Sequence, residues 1–240
     1  MMQREHMTPN QVARTAGALY LIVVLTGTFV LGYFPSQLAM PGDAAMVAKH
    51  LSAHEALLRF AIAAGVVCYV AFLLLPLVLY KLLSPFGKNL AVLMVAFAVV
   101  SAPLSFANLR HLLDMLSMLN GAVSGLALSA EHLGREVLLS HTAYRNGLLL
   151  SKVFWGLWLL PFGILVFRSG VLPKLLGLLL MVGCIGYVID FFGRVLVAGY
   201  AETRLAEYAT RPAALGEVGI CLWLLVLGVR ERQTSAALLR

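Results

Sequence analysis

Residues 57–80 read LLRFAIAAGVVCYVAFLLLPLVLY. Arg59 is the single charge in this stretch, and Lys81 follows directly after it. A helix of this length reaches about 36 Å at about 1.5 Å per residue, enough to cross a hydrocarbon layer of about 30 Å. In lipid every backbone donor and acceptor must be satisfied within the protein, and a helix does so by itself. The stretch is read as a membrane-spanning helix.

Working outward, residues 12–34, 89–109, 144–167, 175–197 and 213–229 have the same character. The sequence predicts an all-α, polytopic bundle of six spans in a single transmembrane domain, residues 1–240. Short amphipathic helices are expected on its outer side. Pro35 is expected to break the first span, and Pro76, Pro103 and Pro161 to kink theirs by removing a backbone donor. The apolar run of the first span is too long for a cleaved leader and no Ala-x-Ala site follows it, so it is read as a retained helix.

Composition points the same way. Apolar residues make up 61% of the 240 and charged residues 12%, with a mean hydropathy of +0.90. A water-soluble domain cannot hide that much apolar surface, and a disordered chain would be poor in it. The net charge of +7 has no soluble basic face to occupy, so nucleic acid is not an expected partner. The lipid bilayer is.

Orientation follows from the basic residues near the span ends. One side would hold both termini and two tight turns, 81–88 and 168–174. It would carry Arg4, Arg14, Lys81, Lys88, Arg168, Lys174, Arg230, Arg232 and Arg240. The other side has as many basic residues spread over a much longer stretch. The denser side is taken as cytoplasmic, giving N-in and C-in. On the opposite side, Pro41-Gly42-Asp43 reads as a turn and cap before a helix from Ala44 to about Leu58. Met46, Val47, Leu51 and Leu58 would form its apolar face. Met115 to Ser140 reads as an interfacial or re-entrant helix or a continuation of the third span. Gly199 to Arg211 reads as a further amphipathic segment. Cys68, Cys184 and Cys221 all fall inside spans and suggest neither disulfides nor a redox pair.

Ionisable groups within a membrane are costly and mark functional sites by default. Counting from the nearest inner basic residue puts Asp190 and Lys152 both at roughly 24 Å, and Glu217 at roughly 20 Å. The equal depths predict a Lys152–Asp190 pair between the fourth and fifth spans. Arg194 lies one turn beyond Asp190 on the same face, as Asp114 does beyond Arg110. Arg59, Arg110, Arg145 and Arg194 come out at the outer boundary, with Tyr187, Ser151, Asn108 and Asn146 nearby. Glu217 is expected to find a basic partner such as Arg194 or Arg145, or to be protonated. The candidate ligand-binding residues are therefore Lys152, Asp190, Arg194, Glu217, Arg145, Arg110, Arg59 and Tyr187. One reading is that these groups only staple helices together. The other is an outward-facing polar pocket for a small polar or amphiphilic ligand.

Histidines offer a different chemistry. His50 and His54 are one helical turn apart beside Glu55, and His111 is three residues before Asp114. Such a set would suit a metal-dependent intramembrane hydrolase acting on lipid-like substrates. No His-Glu-x-x-His, nucleophile elbow or Walker loop is present. No catalytic residue, metal ligand or cofactor is assigned. The glycines of 183–186 are read as close helix contacts, and Trp155, Trp158 and Trp223 as anchors or packing.

Several stretches together are familiar. They are ARTAGALY at 13–20, LLR at 57–59, FWGL at 154–157, FRSG at 167–170, LPK at 172–174, LG at 176–177 and GYVID at 186–190. Glu217, LWLL at 222–225 and GV at 228–229 complete the set. The chain resembles the bacterial membrane family catalogued as domain of unknown function 4386. The resemblance implies a six-helix protein of the bacterial inner membrane with no assigned activity. It places Arg59, Asp190 and Glu217 at polar positions of the family pattern and supplies no catalytic residues. The function expected is a non-enzymatic binding, sensing or permease-like role, the intramembrane enzyme being the alternative.

Overall fold

The computed structural model describes residues 7–38, 44–120 and 129–229. The predicted turn at Pro41-Gly42-Asp43, the glycines at 121 and 125, and Arg4, Arg230, Arg232 and Arg240 lie outside them. Among the described residues there are helices and no strands. Six helices are long and apolar enough to cross a membrane: α1 (Pro9–Gln37), α3 (Glu55–Phe86), α4 (Lys88–Leu119), α5 (Ala130–Ser169), α6 (Lys174–Leu196) and α7 (Arg204–Leu227). A short helix, α2 (Ala44–Ala53), precedes α3. The chain is an all-α polytopic membrane protein.

Local chemistry sets the helix ends. Thr8 and Gln11 cap each other at the start of α1: Thr8 N–H donates to Gln11 Oε1 (2.7 Å), and Gln11 N–H to Thr8 Oγ1 (3.3 Å). This reciprocal box, with Pro9 in the first turn, starts the helix before Val12. Pro35 does not end it. A π turn over Phe29–Tyr33 comes first, and Phe34 N–H reaches back five residues to Phe29 O. The wider turn absorbs the donor that Pro35 lacks, and the helix runs on to Gln37. Pro161 is accommodated differently. The α-helix is interrupted at Trp158, between segments Ala130–Leu157 and Leu159–Ser169. Gly170 (φ 64°) then closes α5 in the left-handed conformation.

The ends of other spans also move from their expected positions. The third span runs on to Leu119, and the fourth begins at Ala130 rather than Tyr144. The described parts of this stretch, 115–120 and 129–140, thus belong to the end of α4 and the start of α5, and 121–128 lie outside the described residues. In the first turns of α5, Glu131 and Arg135 pair one turn apart, which adds a little support to a polar helical face. Helix α2 stops at Ala53, and α3 starts anew at Glu55. Val47, Leu51 and Leu58 are buried, whereas Met46 is 58% exposed and is not on that face.

Two compact units are distinguished. The first comprises Met1–Leu21, Ala71–Ser101 and Lys152–Arg240, and the second Ile22–Val70 and Ala102–Ser151.

The first unit is centred on Trp158, which is fully buried. Its indole stacks on Phe162 (5.1 Å between centroids) and meets Phe72 edge-on (5.1 Å) and Tyr20 at a tilt (6.2 Å). This tryptophan is core packing, not an interface anchor. Around it, glycines let helices approach closely. Added Cβ atoms at Gly163 and Gly177 would each meet the other's carbonyl oxygen, at 2.6 and 2.7 Å. One at Gly183 would meet Ala213, and one at Gly17 the backbone of Leu225. Small residues at such crossings replace the hydrophobic drive that lipid removes. Val229 N–H donates to Asn10 Oδ1 (3.0 Å), tying the end of α7 to the start of α1.

The second unit has a buried polar seam. Asn108 Nδ2 donates to the Tyr144 carbonyl (3.0 Å), and its amide occupies the space that a side chain at Gly147 would take. Phe29 meets Phe60 edge-on, and Tyr69 meets Phe106 likewise. Cys68, Cys184 and Cys221 are all free and buried.

Candidate functional site

The site is laid down by three antiparallel seams of the first unit. Along α5 and α6, Gly163 faces Gly177, Gly156 faces Tyr187, and Lys152 faces Asp190. The absence of a side chain at Gly156 makes room for the Tyr187 Cβ, which brings Asp190 within reach of Lys152 about one turn further along. Along α6 and α7, Gly183 lies against Ala213 and Gly186 against the Ala209 carbonyl. Along α1 and α7, Cys221 Sγ donates to the Gly17 carbonyl (3.7 Å) and Tyr20 lies opposite Glu217.

Asp190 is 2% exposed. Arg194 Nε donates to its Oδ1 at 2.8 Å, and Lys152 Nζ to its Oδ2 at 3.5 Å. The pair anticipated from equal depth is thus a triad of two cations on one carboxylate, with a formal charge of +1. The two cationic side chains are 35% and 30% exposed, so both reach the protein's edge. An unpaired carboxylate so enclosed would be expensive, and two charge-assisted contacts offset that cost.

Glu217 differs from expectation. Among the described residues no Lys, Arg or His comes within ion-pairing distance of it. Tyr20 Oη donates to Glu217 Oε1 at 3.0 Å instead. Arg194 is committed to Asp190, and Arg145 belongs to the second unit. Tyr187 lies within electrostatic reach of both Glu217 and Asp190.

The sequence places Tyr200 in the amphipathic segment from Gly199 to Arg211 and not among the site residues. Gly199 (φ 76°) turns the chain after α6 into a short 3₁₀ segment, Tyr200–Glu202. The Tyr200 ring folds back over Gly193, which has no side chain to obstruct it. The residue is 6% exposed, and its hydroxyl has no hydrogen-bond partner among the described residues. It lies within the fields of Asp190 and Arg194. Desolvation raises the phenol above its ordinary pKa, Asp190 adds to this and Arg194 opposes it. A neutral hydroxyl donor therefore lies within the field of the triad, without a hydrogen-bond partner among the described residues.

The remaining predicted residues lie in the second unit, where Arg59 and Arg110 form separate local pairs. Arg59 contacts Glu55 (2.7 Å) and donates to Asn120 Oδ1 (3.2 Å). Arg110 lies 3.8 Å from Asp114, as does His111. Arg145 is exposed. His50 and His54 are adjacent, with ring centroids 4.5 Å apart and His54 Nδ1 at 2.9 Å from the His50 carbonyl. Among the described residues no group of three or more His, Cys, Asp or Glu comes together as a metal site would require. Cations such as Lys152 and Arg194 can attract a negatively charged group and donate to its oxygens.

Comparison with known proteins gives relatives without an assigned activity. The chain is 31% identical over 150 residues to an uncharacterized protein of Archaeoglobus fulgidus, covering 62% of this chain and 72% of that one. No solved structure matches it. A family model described as Domain of unknown function (DUF4386) matches residues 15–228, nearly the whole of the α1–α7 bundle, and the chain belongs to that family.

Proposed function

We propose that this protein is a non-enzymatic binding, sensing or permease-like protein of the inner membrane, with both termini in the cytoplasm. A polar pocket around Lys152, Asp190 and Arg194 opens toward the outer side and takes a small polar or amphiphilic molecule carrying an acidic group. The observation that carries this reading is the unpartnered Tyr200 hydroxyl within the field of a cluster of net positive charge. A purely structural staple has no use for a second cation on one carboxylate, nor for an orphaned buried donor, which costs stability. Tyr187 and Glu217 extend the polar lining, and Tyr20 orients Glu217. The depth count supports a position in the outer half of the bilayer, and the basic density at the 81–88 and 168–174 turns supports the orientation.

The test is a thermal-shift survey of the purified protein in neutral detergent with short-chain amphiphiles of matched tail and differing headgroup charge. Anionic members are expected to raise the melting temperature of the wild type by several degrees and that of Arg194→Gln by much less. Equal shifts for anionic, zwitterionic and cationic members, or equal shifts in the variant, would overturn the reading.

A further inference from the structure

A second feature of the first unit lies on different residues. Between α3 and α4 is an open cavity of about 370 Å³, lined by Leu77, Tyr80, Val92, Val95, Ala96 and Val99. Its walls are apolar, and Leu77, Val92, Ala96 and Val99 are exposed. Both helices are membrane spans, so bilayer lipid meets this face. The groove is roomy enough for an acyl segment, which is what the surrounding bilayer supplies.

One end of the groove is marked. Lys81 lies one turn beyond Leu77 on the same face of α3, and Lys88 one turn before Val92 on the same face of α4. Both lysines are exposed, and among the described residues neither has a carboxylate within ion-pairing distance. Tyr80, in the lining itself, is of the type that sits at headgroup level. Lys88 is also the first residue of α4. A cation there opposes the helix dipole, whereas an anion would be favoured by the dipole and by the free N–H groups of the first turn.

We infer that the α3–α4 groove is a binding site for an anionic phospholipid, one acyl chain lying along it and the phosphate held between Lys81 and Lys88. The complementarity is twofold. An apolar slot matches the tail, and two unpaired cations at one end match the headgroup. A zwitterionic lipid would fill the slot but leave the lysines without net neutralisation.

The experiment is photo-crosslinking of the full-length protein in phosphatidylcholine nanodiscs. These are doped with a trace of phosphatidylglycerol carrying a diazirine in one acyl chain, and crosslinks are mapped by peptide mass spectrometry. Crosslinks to the peptides spanning 77–99 are expected to exceed those from a phosphatidylcholine probe of identical chains by about tenfold. Lys81→Gln with Lys88→Gln should erase that preference. Ala96→Trp should lower crosslinking from both probes with the lysines intact. Excess glycerol 1-phosphate should not compete. Equal crosslinking by the two probes, persistence of the preference in the double variant, insensitivity to Ala96→Trp, or competition by the free phosphate would each overturn the inference. These substitutions are at exposed positions, and unchanged melting temperatures verify that the variants fold.

Discussion

Lys152 Nζ and Asp190 Oδ2 lie 3.5 Å apart across α5 and α6, while Arg194 holds the other carboxylate oxygen at 2.8 Å. The weaker contact is the one between helices, and the stronger is within α6. Asp190 is therefore oriented mainly by its own helix, and Lys152 is the group most available to something else. Replacing Asp190 by Asn leaves two neighbouring cations uncompensated. The expected loss of stability is about 2 kcal/mol, below the roughly 3–5 kcal/mol of a fully enclosed pair, because both cations reach the edge. Denaturation of the purified variant in detergent measures it.

Tyr20 should be coupled to Glu217. Tyr20→Phe removes the one hydrogen bond that the structure gives Glu217 Oε1, and is expected to cost about 1–2 kcal/mol. In a double-mutant cycle with Glu217→Gln the coupling should reach at least about 0.5 kcal/mol. Strict additivity of the two substitutions would mean that the contact does no energetic work.

Tyr200 separates binding from stability. Its hydroxyl is buried without a partner, so Tyr200→Phe should leave stability unchanged or raise it by about 1 kcal/mol. The same variant should weaken ligand-induced stabilisation. A structural role alone predicts no change in the second quantity.

The glycine seams predict a contrast. At Gly163 a methyl group would meet the Gly177 carbonyl at 2.6 Å, backbone that cannot swing aside, whereas at Gly32 nothing lies within 4 Å. Gly163→Ala should cost about 2 kcal/mol, and Gly32→Ala should fall within about 0.5 kcal/mol of the wild type. Thermal melts of the two variants side by side test this.

Span number and fold class were legible because the apolar runs reach the bilayer thickness with few charges inside. Helix ends were not, because they are set by features that hydropathy ignores. Thr8 and Gln11 start α1 early, the π turn before Pro35 carries it late, and ion pairs such as Glu131–Arg135 add a little support to polar helical turns. The Lys152–Asp190 contact could be read because both residues were counted from basic residues flanking one short turn. Tyr20 was missed as the partner of Glu217. Counted from the helix start at Pro9, it lies at roughly 17 Å, near the roughly 20 Å of Glu217; counted from Arg14 it falls well short. Tyr200 left no signal in spacing, since its position depends on a positive-φ glycine and a fold-back over Gly193. Arg59, Arg110 and Arg145 were grouped with the site on depth alone, and depth does not tell which neighbours a side chain faces.

On the proposed reading, the Asp190 cluster holds an acidic ligand and does more than join two helices. Mass spectrometry of what co-purifies with wild type, Arg194→Gln and Asp190→Asn tests it most directly, because the two variants part company. An anionic molecule should be retained by wild type, lost from Arg194→Gln, and kept or enriched in Asp190→Asn, where the competing carboxylate is gone although the fold is weakened. The same set of bound molecules in all three proteins would contradict it.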